Sequence, residues 1–324
     1  MTNSKPFKTH NQQMKILRTR GLAVESNDKR TLENYGYYSV INGYKWPFLK
    51  RDENGSPLSP EEYIDKASLR EITALYQFDK ELRCILYDAL IEYEENLKAE
   101  LSYRFSEKYR EEHSYLAIDN YSRNPQNPQS VKGVVDTISK LSNSISKNFK
   151  KKGAINHYVN KHGHVPLWVL VNFLTFGELN FFYKNCTRDI KLSIAKDFSK
   201  KYERKYKQKI FISINSIEYI NHLVNHFRNA VAHGDITYCK KLDKGPSFKS
   251  IKRELSLTNL CINSQKGVFE LIIALRLVLE KKEYSKLTKR MKILLNNYKN
   301  KFLSIEFESI LKDMNFPIKF ENYL

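Results

Sequence analysis

The stretch NHFRNAVAHGD, residues 225–235, sets Arg228, Asn229 and His233 within six positions of one another. Three chemistries fit these residue types. A metal centre would use His222 and His226, whose i,i+4 spacing lets two imidazoles reach one ion. No Asp, Glu or Cys falls in place beside them, the His-Glu-x-x-His pattern is absent, and the nearest acid, Asp235, follows the segment. Neither a metal nor a cofactor is therefore expected. RNA cleavage without metal needs a base for the 2′-hydroxyl, an acid for the leaving 5′-oxygen and a cation on the phosphorane. His233 suits either proton transfer. Arg228 suits the third role, because a guanidinium stays charged and grips phosphate oxygens in pairs. The third possibility is plain solvation of a polar helix face. Spacing alone does not decide, since a chain with 8 histidines and abundant arginine meets Arg-x4-His by chance.

The element that must carry these residues is a helix. At 100° per residue, Ile220, Leu223, Val224, Phe227, Ala230 and Val231 form one apolar stripe over residues 213–233. His222, Asn225, His226, Asn229 and His233 lie opposite, Arg228 on the flank, and Gly234 is a natural C-terminal stop. Arg228 and His233 are about 140° apart on an ideal helix. One histidine cannot easily be both acid and base, so a two-fold dimer that joins two copies of this face would complete the site.

Similar periodicity runs through the rest of the chain. Leu75, Phe78, Leu82, Ile85, Leu86, Ala89, Tyr93, Leu97 and Leu101 mark a long amphipathic helix over 67–108, with Glu94 and Lys98 as an i,i+4 pair. Further helices are expected at 131–149, at 166–186 as two stretches broken at Gly177, at 188–209, and as one or two over 267–300. NQQMKILRTRGL reads as a short helix stopped by Gly21, Ser59-Pro60-Glu61-Glu62 as a helix start, and KKKGAINHYVNKHGHVP as a basic connection. No strand alternation stands out. The expected fold is an all-α bundle over residues 61–324 with a small helical and loop region over 1–60.

The formal charge is +19, from 55 Lys+Arg against 36 Asp+Glu. A polyanion, nucleic acid first, is the partner such a charge suits. The four cysteines, Cys84, Cys186, Cys239 and Cys261, form no Cys-x-x-Cys pair, so neither a zinc ribbon nor a disulfide framework is indicated. The strongest apolar run, GVFELIIALRLVLE, carries Glu270, Arg276 and Glu280, and the first residues hold no apolar signal core. A cytoplasmic protein without membrane partners is expected.

RNA contact is expected at two basic clusters. KDFSKKYERKYKQK (196–209) includes Lys200, Lys201, Arg204, Lys205 and Lys207, interleaved with Tyr202 and Tyr206 for base stacking. SKNFKKKG (146–153) supplies Lys150, Lys151 and Lys152, and His226 is a further candidate contact. KKLDKGPSFKSIKR (240–253) follows the Arg-x4-His segment and is placed to hold a strand near it.

The Arg-x4-His segment resembles the signature of HEPN domains, and the wider chain resembles the Abi-like (abortive-infection, AbiD/AbiF-type) family. The stretches that carry the likeness are KPFKTHNQQMKILRTRGL, ENYGYYSVINGYKWPF, LYQFDKELRCILYDALIEYEENLKAEL, PLWVLVNFLTFGELNFFYKN and FRNAVAHGD, in family order over residues 5–240. The resemblance implies an HEPN-type helical bundle, a phage-defence role, and a metal-independent ribonuclease site at a homodimer interface, with Arg228, Asn229 and His233 matching the motif. The alternative it implies is an RNA-binding protein that forms a ribonucleoprotein with a dedicated small noncoding RNA and has weak or no nuclease activity. Two positions depart from the family. Gly234-Asp235 stands where a second histidine and a following arginine are common, and Lys98 stands where arginine is common.

Overall fold

The computed structural model describes residues 6–124, 126–257, 260 and 265–323. Cys261 lies outside them. The regular elements among the described residues are all helices, and extended pairing among them is limited to isolated bridges such as Leu49↔Tyr63 and Leu242↔Lys266.

Ser68 opens the central element. Its hydroxyl accepts the Glu71 amide and Glu71 returns the bond to the Ser68 amide, which satisfies donors that a helix start otherwise leaves free. The helix then runs over Leu69–Lys108, about 60 Å at 1.5 Å per residue. It is the third of the chain (α3), after α1 (His10–Thr19) and α2 (Lys29–Tyr35). Its apolar positions, among them Phe78, Leu82, Leu86, Leu90, Tyr93, Leu97, Leu101 and Phe105, are fully buried.

Around α3 the chain wraps α4 (Pro128–Phe149), α5 (Ala154–His162), α6 (Leu167–Leu170), α7 (Phe176–Asn185), α8 (Arg188–Tyr206) and α9 (Ile214–His233). There follow α10 (Lys249–Glu254), α11 (Val268–Leu275), α12 (Lys281–Tyr298) and α13 (Phe307–Asp313). Three of these, α8, α9 and α12, pack directly along α3. α9 also touches α7, α10 and α11, so its inner side is covered on several flanks. A single hydrophobic cluster reaches from Met14, Leu17 and Phe48 to Met314 and Phe316.

Local expectations fail at three places, each for a physical reason. Ser59-Pro60-Glu61-Glu62 does not start a helix. Glu61 instead takes Lys45 at 2.6 Å and Arg20 at 2.9 Å, while Tyr63 bridges back to Leu49. The break between α6 and α7 falls before Thr175, whose hydroxyl forms a reciprocal cap with Glu178, and Gly177 sits inside α7. It lies against α9, where a Cβ would stand in ordinary contact, 3.4 Å from Asn225 Oδ1. The basic connection after α4 contains a helix of its own, α5, ended by Gly163 at φ 75°.

Candidate catalytic face and nucleic-acid interface

α9 is capped at both ends. The Ser213 hydroxyl accepts the Ser216 amide, and Gly234 takes the left-handed conformation (φ 73°, ψ 22°) that closes the last turn. The Asp235 amide then donates to the Ala230 carbonyl at 2.8 Å. Of the inner stripe expected from periodicity, Ile220, Leu223, Val224, Phe227 and Ala230 are buried and Val231 is half-buried; Ile217 extends the buried side by a turn. Asn221 joins it, its Oδ1 accepting the Tyr93 hydroxyl at 2.6 Å. Polar residues occupy the other side. His226, Asn229 and His233 are exposed, and His222, Asn225 and Arg228 are half-buried.

The helix is regular through His233, so nothing bends Arg228 toward it. The two side chains leave α9 in different directions and do not meet within one chain. Arg228 turns to α3, where its Nε stands 3.4 Å from Oε2 of Glu94. Glu94 is almost wholly buried and also takes Lys98 Nζ at 2.7 Å through Oε1. Among the described residues, the terminal nitrogens of Arg228 and the side chains of Asn229 and His233 have no hydrogen-bond partner. A guanidinium fork, an amide and an imidazole therefore reach solvent from one helix without being spent on the fold.

His222 and His226 are different. Their rings meet edge to face, with centroids 4.7 Å apart. His222 Nε2 donates to the Lys244 carbonyl at 2.9 Å, so that nitrogen is occupied by the fold. Burial lowers both imidazoles from the ordinary value. A backbone hydrogen bond partly opposes this at His222, and the nearby Lys240 charge adds to it at His226. Gly245, at φ 117°, closes over the His222 ring, where any Cβ would clash. Among the described residues, no group of three or more His, Cys, Asp or Glu side chains could hold a metal ion.

The segment after Gly234 is held by Asp79, a carboxylate of α3 with no exposed surface. It accepts the Thr237 amide at 3.1 Å, the Tyr238 amide at 2.7 Å, the Tyr44 hydroxyl at 2.7 Å and Arg83. Burial pushes Asp79 above the usual carboxylate range, and these donors, together with the Arg83 charge, oppose that push. Gly234 thus serves as a turn that delivers two backbone amides to a buried anion.

The basic stretch of α8 divides sharply. Lys200 and Arg204 are exposed, as is Lys207 just past the helix. Lys201 pairs with Glu100 at 2.8 Å. The stacking role expected of the tyrosines is not available to them: Tyr202 is 1% exposed in the core. Tyr206 packs on it, ring centroids 4.5 Å apart, with the Arg276 guanidinium over its face. Lys205 is likewise inward. Its ammonium donates to the Leu279 carbonyl at 2.6 Å, and burial lowers its pKa. These three are corrections to the expected contact set: the interleaved positions lie on the covered side of α8.

Lys200 and Arg204 instead line a groove of about 560 Å³ between α8 and α3. Arg104, Lys200, Lys201 and Arg204 face Glu100 and Asp197 there, with Tyr103, 60% exposed, at its edge. Arg104 is fixed by Asp197, and its guanidinium lies 5.1 Å from the Tyr103 ring. Sequence reasoning missed Tyr103 and Arg104, although their place on the non-apolar side of α3 was readable. Lys150, Lys151 and Lys152 are exposed beyond the end of α4. α4 packs on α7 and α7 on α9, so this cluster is two helices removed from the Arg228 face.

Among the described residues no helix is long and apolar enough to cross a membrane. The family model described as Abi-like protein matches residues 30–239, a span that runs from α2 through α9 and its following turn. No curated protein and no solved structure matches the chain.

Proposed function

The chain belongs to the Abi-like family, and from that footing we propose that it is an abortive-infection protein of the HEPN class that binds RNA and cleaves it without metal. The observation that carries this reading is the unspent set on α9: the terminal nitrogens of the half-buried Arg228 and the exposed side chains of Asn229 and His233, none of which has a hydrogen-bond partner among the described residues. Since a regular helix keeps Arg228 and His233 about 140° apart, the site is composite. Two chains pair across α9 in a homodimer, and each supplies one histidine. His233 of one copy takes the 2′-hydroxyl proton. The 2′-oxygen attacks phosphorus, the bond to the 5′-oxygen breaks, and His233 of the second copy protonates the leaving oxygen. Arg228 holds the phosphorane oxygens. Residues 61–324 form the HEPN-like domain and residues 1–60 its appendage, and the protein acts in the cytoplasm.

The test is incubation of purified protein with total RNA in chelator. Fragments ending in 2′,3′-cyclic phosphate are expected from the native chain and not from His233→Ala. Identical products from both would overturn the reading.

A second reading draws on the groove between α3 and α8. Around α3 it lies on a different flank from Glu94 and the Arg228 face, so RNA held there need not reach the candidate nuclease site. The chain would then be the protein part of a ribonucleoprotein with a structured small noncoding RNA, with little or no nuclease activity. Lys200, Arg204, Lys207 and the cluster Lys150, Lys151 and Lys152 would grip the backbone, and His226 would contact it beside α9. A preparation free of RNA, by ultraviolet ratio and by sequencing of what co-purifies, argues against this form.

A further inference from the structure

Arg228 is not simply exposed; it is aimed. Its Nε is buried, faces the Glu94 carboxylate at 3.4 Å and makes no formal hydrogen bond, and Glu94 Oε2 is likewise unbonded. Glu94 is 4% exposed. A buried carboxylate with an unspent oxygen turned to one edge of a guanidinium fixes which edge points in. The two terminal nitrogens are thereby left outward, in the fork geometry that matches a phosphate.

The charge balance completes the device. A lone Glu94 beside Arg228 would cancel the cation that a phosphate needs and would repel the phosphate itself. Lys98, one turn along α3, closes on the other carboxylate oxygen at 2.7 Å. With Lys98 neutralising Glu94, Arg228 keeps its full charge toward solvent. We infer that Glu94 is a positioning residue which orients Arg228 for a phosphodiester through its buried Nε edge, and that Lys98 is the counter-charge that makes this possible. The inference rests on the functional reading above for its substrate class, and on the Glu94–Lys98–Arg228 geometry for everything else.

A 2′-O-methyl RNA oligonucleotide, which cannot be cleaved through its 2′-oxygen, is the probe for binding. Arg228→Lys lacks the Nε edge and is expected to weaken binding several-fold in the native background, and hardly at all beside Glu94→Gln. An equal effect in both backgrounds overturns the inference, because a merely structural Glu94 would give additive losses. So does binding by the native chain that is absent or indifferent to Arg228→Lys. Should Glu94→Gln fail to fold, Lys98→Met carries the test. It leaves Glu94 on Arg228 without a counter-charge, and binding is expected to drop at least as far as for Arg228→Lys. Unchanged binding by a folded Lys98→Met overturns the inference.

With unmodified RNA, Glu94→Gln is expected to lower kcat about tenfold while KM does not rise, since the extra positive charge still attracts the strand. A rise in KM alone, with kcat kept, overturns the orienting role. Failure of the wider reading looks different: no cleavage by the native chain, or cleavage that survives His233→Ala, with the coupling between residues 94 and 228 intact in binding.

Discussion

The outer face of α9 and the basic side of α8 both read as nucleic-acid surfaces, and they are built on opposite plans. On α9, Asn229, His233 and the terminal nitrogens of Arg228 keep their bonding capacity. On α8 half of the residues that look suited to RNA are consumed by the fold: Tyr202 and Tyr206 stack inside, and Lys205 spends its ammonium on the Leu279 carbonyl. Composition is blind to this difference. What separates the two is whether a polar group already has a partner, a tertiary property that follows from which flank a neighbouring helix covers.

The comparison breaks most decisively at α9. His233→Ala is expected to cut the rate of RNA cleavage by about 10²–10⁴-fold, the usual range for a lost proton-transfer group. Its melting temperature should stay at the native value, since the imidazole is exposed and unpartnered. A large loss of stability would mean that this face is structural after all.

On α8 the converse holds. Tyr202→Ala removes a ring that is 1% exposed and is expected to destabilise the chain by roughly 3–5 kcal/mol, as for other buried aromatics. RNA affinity of the folded fraction should not change. Tyr103→Ala should do the reverse, leaving stability within about 0.5 kcal/mol and weakening single-stranded RNA by roughly 1–3 kcal/mol if a base stacks on it. Thermal melts and filter binding of both variants decide which tyrosine faces RNA.

A smaller effect sharpens the groove itself. Changing Lys200 and Arg204 together to Gln should reduce the slope of log affinity against log salt by about 1.4, or 0.7 for each phosphate released on a single strand. An unchanged slope removes the groove from the interface.

The smallest effect concerns His222 and His226, whose folded-state pKa values burial holds below the ordinary imidazole value. The fold favours their neutral forms. Their contribution is therefore fully present above about pH 6.5 and is lost as pH falls through the lowered folded values. Melting temperature should decline on that descent. The decline should shrink in His222→Gln, which can still donate to the Lys244 carbonyl but cannot take a proton.

Much of this was legible in the chain. The α9 stripe, its stop at Gly234 and the long helix of α3 follow from apolar spacing alone. The capping pair Thr175 and Glu178 was also written there, but Gly177 drew attention first because glycine usually breaks helices. That Gly177 lies inside a helix, against Asn225, is visible only once α7 lies on α9. The false helix start at Pro60 has the same origin, for Glu61 answers to Lys45 and Arg20 rather than to its own turn. Nothing in local sequence ties Glu94 to Arg228, because the ion pair between them is made by α3 and α9 packing together. The candidate site was thus readable as a set of side chains, and the way they are held was not.

The Asp79 carboxylate has a kinetic consequence. It gathers Tyr44, Arg83 and the amides of Thr237 and Tyr238, groups that lie far apart along the chain. Closing such long loops is slow compared with forming a helix. The turn after Gly234 is therefore expected to settle only once α3 and the N-terminal segment are in place. Loosening the N-terminal segment around Tyr44 is therefore expected to be felt at the turn that closes α9.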